Sequence, residues 1–180
     1  MIEKSLVLIK PDGIKRKLIG KIISRIEDIG LKIVGMKLVR ADRNLAEKHY
    51  PSSEEQIVGM GNKTLAASDE KRVREIFGTT NPRKIGMKLR EWLIKSITSS
   101  PVVALVVEGE NAVERMRKLA GYTDPSKAEK GTIRGDFGVD SIAKANEERR
   151  ATENLVHVSG DKAEAEREVK LWFKQEELFK

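Results

Sequence analysis

The run "PVVALVV" (101–107) is the feature that most constrains this chain. Left in water, those side chains would forgo about 25 cal/mol for every Å² of apolar surface they could bury. The run is far too short to cross a membrane, which takes about 20 residues. Bounded by Pro101 and by Glu108-Gly109, it reads as a buried strand, the clearest in the chain. A buried strand needs partners, and three other stretches can supply them. "SLVLIK" (5–10), "LKIVGMKLVR" (31–40) and "NLVHV" (154–158) each read as strands.

Helices fall between them. Ile19, Ile22, Ile23 and Ile26 recur at i, i+3, i+4 and i+7, one face of an amphipathic helix that Gly30 ends. "RNLAEKHY" (43–50) reads as a short helix. "KIGMKLREWLIKSI" (84–97) carries a stripe of Ile85, Leu89, Trp92 or Leu93, and Ile97. Asn111 is a candidate N-cap for 112–121, and Asp161 for 161–173. Lys10-Pro11-Asp12-Gly13 is a turn signal. Residues 51–84 are polar and nearly aperiodic apart from "DEKRVREIF" (69–77), and 122–153 are again polar and irregular.

Without the extra helices the order is βαββαβ. The expected fold is therefore α+β, a ferredoxin-like split-βαβ sandwich: a four-stranded antiparallel sheet with helices on its faces. One domain over 1–180 is expected, with two extended surface insertions at 51–84 and about 138–153.

Composition narrows function only coarsely. Lys+Arg number 35 against 28 Asp+Glu, so the chain suits anionic partners. It has no Cys, which rules out disulfides, thiolate zinc sites and a cysteine nucleophile. The apolar start, Leu6 to Ile9 between Lys4 and Lys10, is too short for a leader or a membrane span, so a cytoplasmic protein is expected.

His157 is one of only 2 histidines and sits between Val156 and Val158. A lone histidine in an apolar strand is more often a satisfied core residue than a nucleophile. Here Glu168 lies eleven residues on, on the following helix, where it could fold back over the strand. An imidazole nucleophile needs one ring nitrogen free and the other held by an acceptor. Ser159 points to the same face of the strand. Lys10, Arg117 and Arg134 stand beside turns and offer donors for phosphate; "GTIRGDFG" adds glycines that permit close backbone approach. Two features read as decoys. "GMGNKT" (59–64) lacks the P-loop spacing and reads as a loop. His49 reads as a surface residue on a polar helix, too distant from His157 for a zinc site.

Four motifs, "IKPDG" (9–13), "GYTDP" (121–125), "KGTIRGDFG" (130–138) and "ENLVHVSGD" (153–161), together resemble nucleoside diphosphate kinases in type and order. "IGKIISRIEDIGLKIVGMKLV" and "AEAEREVKLWF" extend the likeness over nearly the whole chain. The resemblance implies reversible transfer of the terminal phosphate between nucleoside triphosphates, ATP among them, and diphosphates. It implies ping-pong chemistry through a phosphohistidine, with Mg²⁺ carried mainly by the nucleotide phosphates rather than by protein ligands. It assigns His157 as nucleophile, Glu168 as the acid holding it, Ser159 as their hydroxyl neighbour, Lys10 as the lysine reaching the transferred phosphate and Tyr50 as the tyrosine beside them. Arg117, Thr123 and Arg134 would grip the phosphates and Asn154 the sugar hydroxyl. A homo-oligomer, hexamer or tetramer, is implied, with no membrane or nucleic-acid partner.

The chain departs from the family pattern. Glu153 stands where an arginine is usual, "HVSGD" replaces "HGSDS" so that the acid falls at Asp161, and counting back from "PVV" puts Leu89 at the family's base-stacking aromatic. The connections from Tyr50 to Pro101 and from Arg134 to His157 are longer than the family norm. Two rivals follow. Split-βαβ domains that read RNA stack bases on strand aromatics, but aromatics here are only 4%. A catalytically silent relative acting as a scaffold would share the fold without the chemistry.

Overall fold

The computed structural model describes residues 2–51 and 53–179; Met1, Ser52 and Lys180, which the ranges 1–180 and 51–84 include, lie outside the described residues. Four strands, β1 (Ile2–Ile9), β2 (Lys32–Val39), β3 (Val102–Glu110) and β4 (Val156–Val158), form one sheet in the order β2-β3-β1-β4. Every neighbouring pair is antiparallel. This is the expected ferredoxin-like α+β sheet.

The uninterrupted apolar runs of β1 and β3 have a simple cause: both faces of the sheet are buried. Val7, Ile9, Val103, Leu105 and Val107 face one layer, which holds Ile22 and Ile26 of α2 (Ile19–Asp28) and Met116 and Leu119 of α7 (Ala112–Ala120). Leu6, Leu8, Val102, Ala104 and Val106 face the other. That layer holds Ala46 of α3 (Arg43–His49), Ile94 and Ile97 of α6 (Pro82–Thr98), and Val169 and Trp172 of α10 (Lys162–Trp172). The sheet is open, among the described residues, only toward the β2 edge, where Met36 and Leu38 are exposed, and β2 carries no aromatic on which bases could stack.

Several expectations are corrected. Pro11 does not make a plain turn; it occupies the first position of a short helix, α1 (Pro11–Lys15), where its missing N–H costs nothing. Asn111 stands at the start of α7 with φ 50° and makes no side-chain cap; Glu3 Oε1 accepts from Val113 N instead, at 3.2 Å. The polar stretch 122–153 contains α8 (Ile133–Phe137) and α9 (Ile142–Glu147).

The largest correction concerns 51–84, which is helical almost throughout: α4 (Glu54–Ala67) and α5 (Glu70–Phe77). "GMGNKT" lies inside α4 and is neither a loop nor a P-loop. The apolar period is missing because α4 packs on α6 through small residues. A methyl group at Gly61 would overlap the Pro82 carbonyl, and one at Gly86 the carbonyl of Ile57. Backbone approach replaces side-chain interdigitation, so the buried face of α4 reads Ile57, Gly61, Thr64. Val73, Ile76 and Phe77 of α5 then close over Ile85 in a third apolar cluster.

Candidate active site

β4 is short and, among the described residues, pairs with β1 alone, with His157 opposite Leu8. Its approach is strained. Leu155 is fully buried at φ 70°, a region that a bulky side chain rarely enters. Two bonds hold it there: Asp12 Oδ2 accepts from Leu155 N at 2.8 Å, and Lys10 N donates to Leu155 O at 2.8 Å. The end of β1 and the start of α1 thus fix the kink between Asn154 and His157. Sequence reading passes over Asp12 and Leu155; nothing in the residue types marks a strained leucine.

His157 Nε2 lies 2.9 Å from Glu168 Oε1 and 3.0 Å from Oε2. A carboxylate only accepts, so the ring proton sits on Nε2 and Nδ1 keeps its lone pair. Ser159 Oγ donates to Glu168 Oε2 at 2.7 Å and accepts from Leu6 N at 3.2 Å. Glu168 and Ser159 are wholly buried behind the ring, whereas the imidazole is 20% exposed. Asp161 caps α10 as expected, accepting from Glu164 N at 2.8 Å.

A cavity of about 1500 Å³ opens in front of the ring. Lys10, Tyr50, Arg117, Thr123, Arg134, Asn154 and His157 all line it. Lys10 Nζ donates to Asn154 Oδ1 at 2.8 Å and to Thr152 O at 3.1 Å; burial pushes its ammonium below the usual lysine range, against the pull of Asp12. Asn154 Nδ2 donates to Thr123 O at 3.0 Å, tying the two motifs together. Arg134 donates to the carbonyls of Gly121 (2.7 Å), Val156 (2.7 Å) and Asn154 (3.1 Å). Burial lowers it to about 10, so it remains a cation at neutral pH. Arg117 is exposed and donates to Gly160 O. Burial, reinforced by Glu168 and Asp12, raises the Tyr50 phenol well above its usual value, so its hydroxyl stays a donor.

His49 is a correction. It is 1% exposed, not a surface residue, and its ring lies edge-on to His157 with centroids 4.4 Å apart. Trp172 Nε1 donates to His49 Nδ1 at 3.3 Å, and Glu168 Oε1 is 3.3 Å from the same nitrogen. His49 Nε2 is buried without a partner among the described residues. Burial first, then His157, Arg167 and Lys10, hold His49 well below the usual histidine range. The two histidines are therefore close, and with Glu168 they bring ligand atoms within 4.8 Å of one another. Such a nitrogen-rich cluster suits zinc-like ions and does not fit Mg²⁺, which demands oxygen ligands and keeps its waters.

Leu89 does not line the cavity. It packs beside Phe77 and Ile85 in the cluster that α5 closes, and the residue α6 presents to the cavity is Leu93. At Glu153, the backbone N donates to Asp140 Oδ2 at 2.8 Å, and Asp140 pairs with Arg150 at 2.6 Å, so this segment has its own ion pair.

The nucleoside diphosphate kinase family model matches residues 3–89 and 86–178. A nucleoside diphosphate kinase of Pyrobaculum aerophilum is 46% identical over 179 residues, 98% of each chain. The crystal structure of an NDP kinase from Pyrobaculum aerophilum superposes with a TM-score of 0.95 at 44% identity, covering 100% of both chains. The nucleoside-diphosphate kinase of Borrelia burgdorferi, a transition-state mimic with bound vanadate and ADP, superposes with a TM-score of 0.78 at 36% identity, over 99% of this chain and 91% of that one.

Proposed function

As a member of the nucleoside diphosphate kinase family this chain is an enzyme that transfers phosphate between nucleotides, and we propose that it does so through a phosphoryl group carried on His157. The observation behind this assignment is the bond from His157 Nε2 to Glu168, which leaves Nδ1 with its lone pair on the cavity side. A triphosphate lies with its terminal phosphate against Nδ1. The N–P bond forms, the P–O bond to the diphosphate breaks, and the electron pair leaves on the diphosphate oxygen. The ring gains positive charge as this happens, and Glu168, held by Ser159, offsets it. Lys10, Arg117 and Arg134 offset charge on the phosphate oxygens, which is most of what phosphoryl transfer asks of a protein. Thr123 and the Tyr50 hydroxyl add donors, and Asn154 takes the sugar hydroxyl. A second diphosphate then occupies the same cavity and reverses the steps, the balance that sustains nucleoside and deoxynucleoside triphosphate pools.

Mg²⁺ riding on the nucleotide phosphates would supply further charge neutralisation. The His49, His157 and Glu168 cluster does not suit it, so the phosphates rather than protein ligands would hold it. A homo-oligomer, hexamer or tetramer, is supported by strand β2: it is a sheet edge, and Met36 (58%) and Leu38 (66%) are exposed on it. Among the described residues no helix is long and apolar enough to cross a membrane. A chain without Cys suits a reducing compartment, and we take it as cytoplasmic. We take the chain as one domain, with 51–84 and about 138–153 as insertions.

The test is to incubate the protein with [γ-³²P]ATP and look for acid-labile, base-stable label. His157→Ala should take none. A silent relative would take none even as wild type.

A further inference from the structure

The insertion does more than cover α6. Tyr50 ends α3, its ring centroid 6.5 Å from that of His157, and its carbonyl accepts from Arg90 Nε of α6 at 2.6 Å. α4 starts four residues later and runs antiparallel to α6, Ile57 against Gly86 and Gly61 against Pro82. Near its start, Gln56 Nε2 donates to Glu164 of α10 at 3.4 Å. Beyond its end, Arg72 of α5 pairs with Glu147 of α9 at 3.3 Å. α4 therefore bridges from the catalytic side of the cavity to α9. At 1.5 Å per residue, Lys63 lies about 15 Å along the helix from its Ser53 cap.

Lys63 is the only basic residue of α4, and its side chain lines the same cavity as His157. It makes no ion pair or hydrogen bond among the described residues, although Glu54, at the other end of the same helix, pairs with Arg83 at 3.0 Å. The close Gly61 contact two residues away fixes the backbone that carries it. With Lys10, Arg117 and Arg134 taken up by the phosphates, the nucleoside is left to the other lining residues, among which Lys63 is a cation and Leu93 an apolar surface.

We infer that Lys63 is a substrate-binding residue contributed by the insertion: its ammonium donates to the acceptor edge of the bound nucleobase. This rests on the reading that the cavity is the nucleotide site. The edge contacted is the one that faces the major groove in a duplex: there guanine offers two adjacent acceptors, O6 and N7, and gains most, whereas cytosine presents only its N4 amino donor and gains least. An exposed lysine without partners can be replaced without disturbing the fold.

The experiment compares wild type, Lys63→Met and Lys63→Arg in steady-state kinetics with GDP and CDP as acceptors, at fixed ATP. Lys63→Met should raise KM for GDP about fivefold and KM for CDP less than twofold, with kcat and melting temperature unchanged. Lys63→Arg should restore the GDP value. Equal KM values in wild type and Lys63→Met overturn the inference, as does an equal rise for both acceptors, which would place the ammonium on phosphate. Wild type that takes no label from ATP refutes the site assignment itself, a distinct failure that removes this inference with it.

Discussion

Glu168→Gln is isosteric and removes one charge from behind His157, the proposed nucleophile. In the parent, Glu168 accepts from His157 Nε2 at 2.9 and 3.0 Å and from Ser159 Oγ at 2.7 Å, all in a fully buried setting. Ser159 donates, so it will hold the amide carbonyl at the Oε2 position. The amide nitrogen then falls at Oε1, so Nε2 keeps only the neutral carbonyl at the Oε2 position, 3.0 Å away, in place of a two-oxygen carboxylate. A charge-assisted hydrogen bond contributes about 1.5–3 kcal/mol. The ring becomes cationic only as the N–P bond forms, so the loss falls on the transition state. At about 1.4 kcal/mol per factor of ten, phosphohistidine formation should slow by roughly 10- to 100-fold. Glu168 does not line the cavity, so KM for ATP should hold. Rapid-quench measurement of label uptake from [γ-³²P]ATP gives the rate, and a thermal melt verifies folding. A folded Glu168→Gln protein that takes label within threefold of the parent rate would refute the bracing argument.

Other outcomes follow from the same structure. Asp12→Ala removes the acceptor that holds the strained Leu155 N–H, and urea titration should show a loss of about 2 kcal/mol together with weaker ATP binding. Gly61→Ala should lower the melting temperature by pushing α4 off the Pro82 carbonyl, while Gly59→Ala, whose added methyl meets nothing within 4 Å, should raise stability by up to about 1 kcal/mol. Matching melts of the two variants would contradict the packing described for α4. His49 stays neutral in the folded chain, whereas the unfolded chain protonates it near the usual histidine value of 6.5. The unfolded state then binds the extra proton, so stability should be flat above pH 6.5 and fall by up to about 1.4 kcal/mol per pH unit below it. His49→Gln should remove that slope from stability curves measured between pH 5 and 8.

The strands were legible because β1 and β3 are buried on both faces, and an unbroken apolar run of that length belongs to a strand covered on both sides. α2 was legible because its four isoleucines keep a helical period. α4 was not, because Gly61 and Thr64 form its packing face; the Ser53 cap followed by Glu54 and Glu55 was the signal available there. His157 and Glu168 could be paired from a spacing of eleven residues, strand to helix. His49 could not be placed, since its burial comes from Trp172 and His157, more than a hundred residues away in sequence. Leu89 misled for a related reason: α5 draws that position into a cluster of its own.

The nitrogen that bears the phosphoryl group tests the account most directly. Uniformly ¹⁵N-labelled protein, phosphorylated with ATP at alkaline pH, should show phosphorus–nitrogen coupling to Nδ1 of His157, with Nε2 still protonated toward Glu168. Phosphorus on Nε2, or on any residue other than His157, would contradict it.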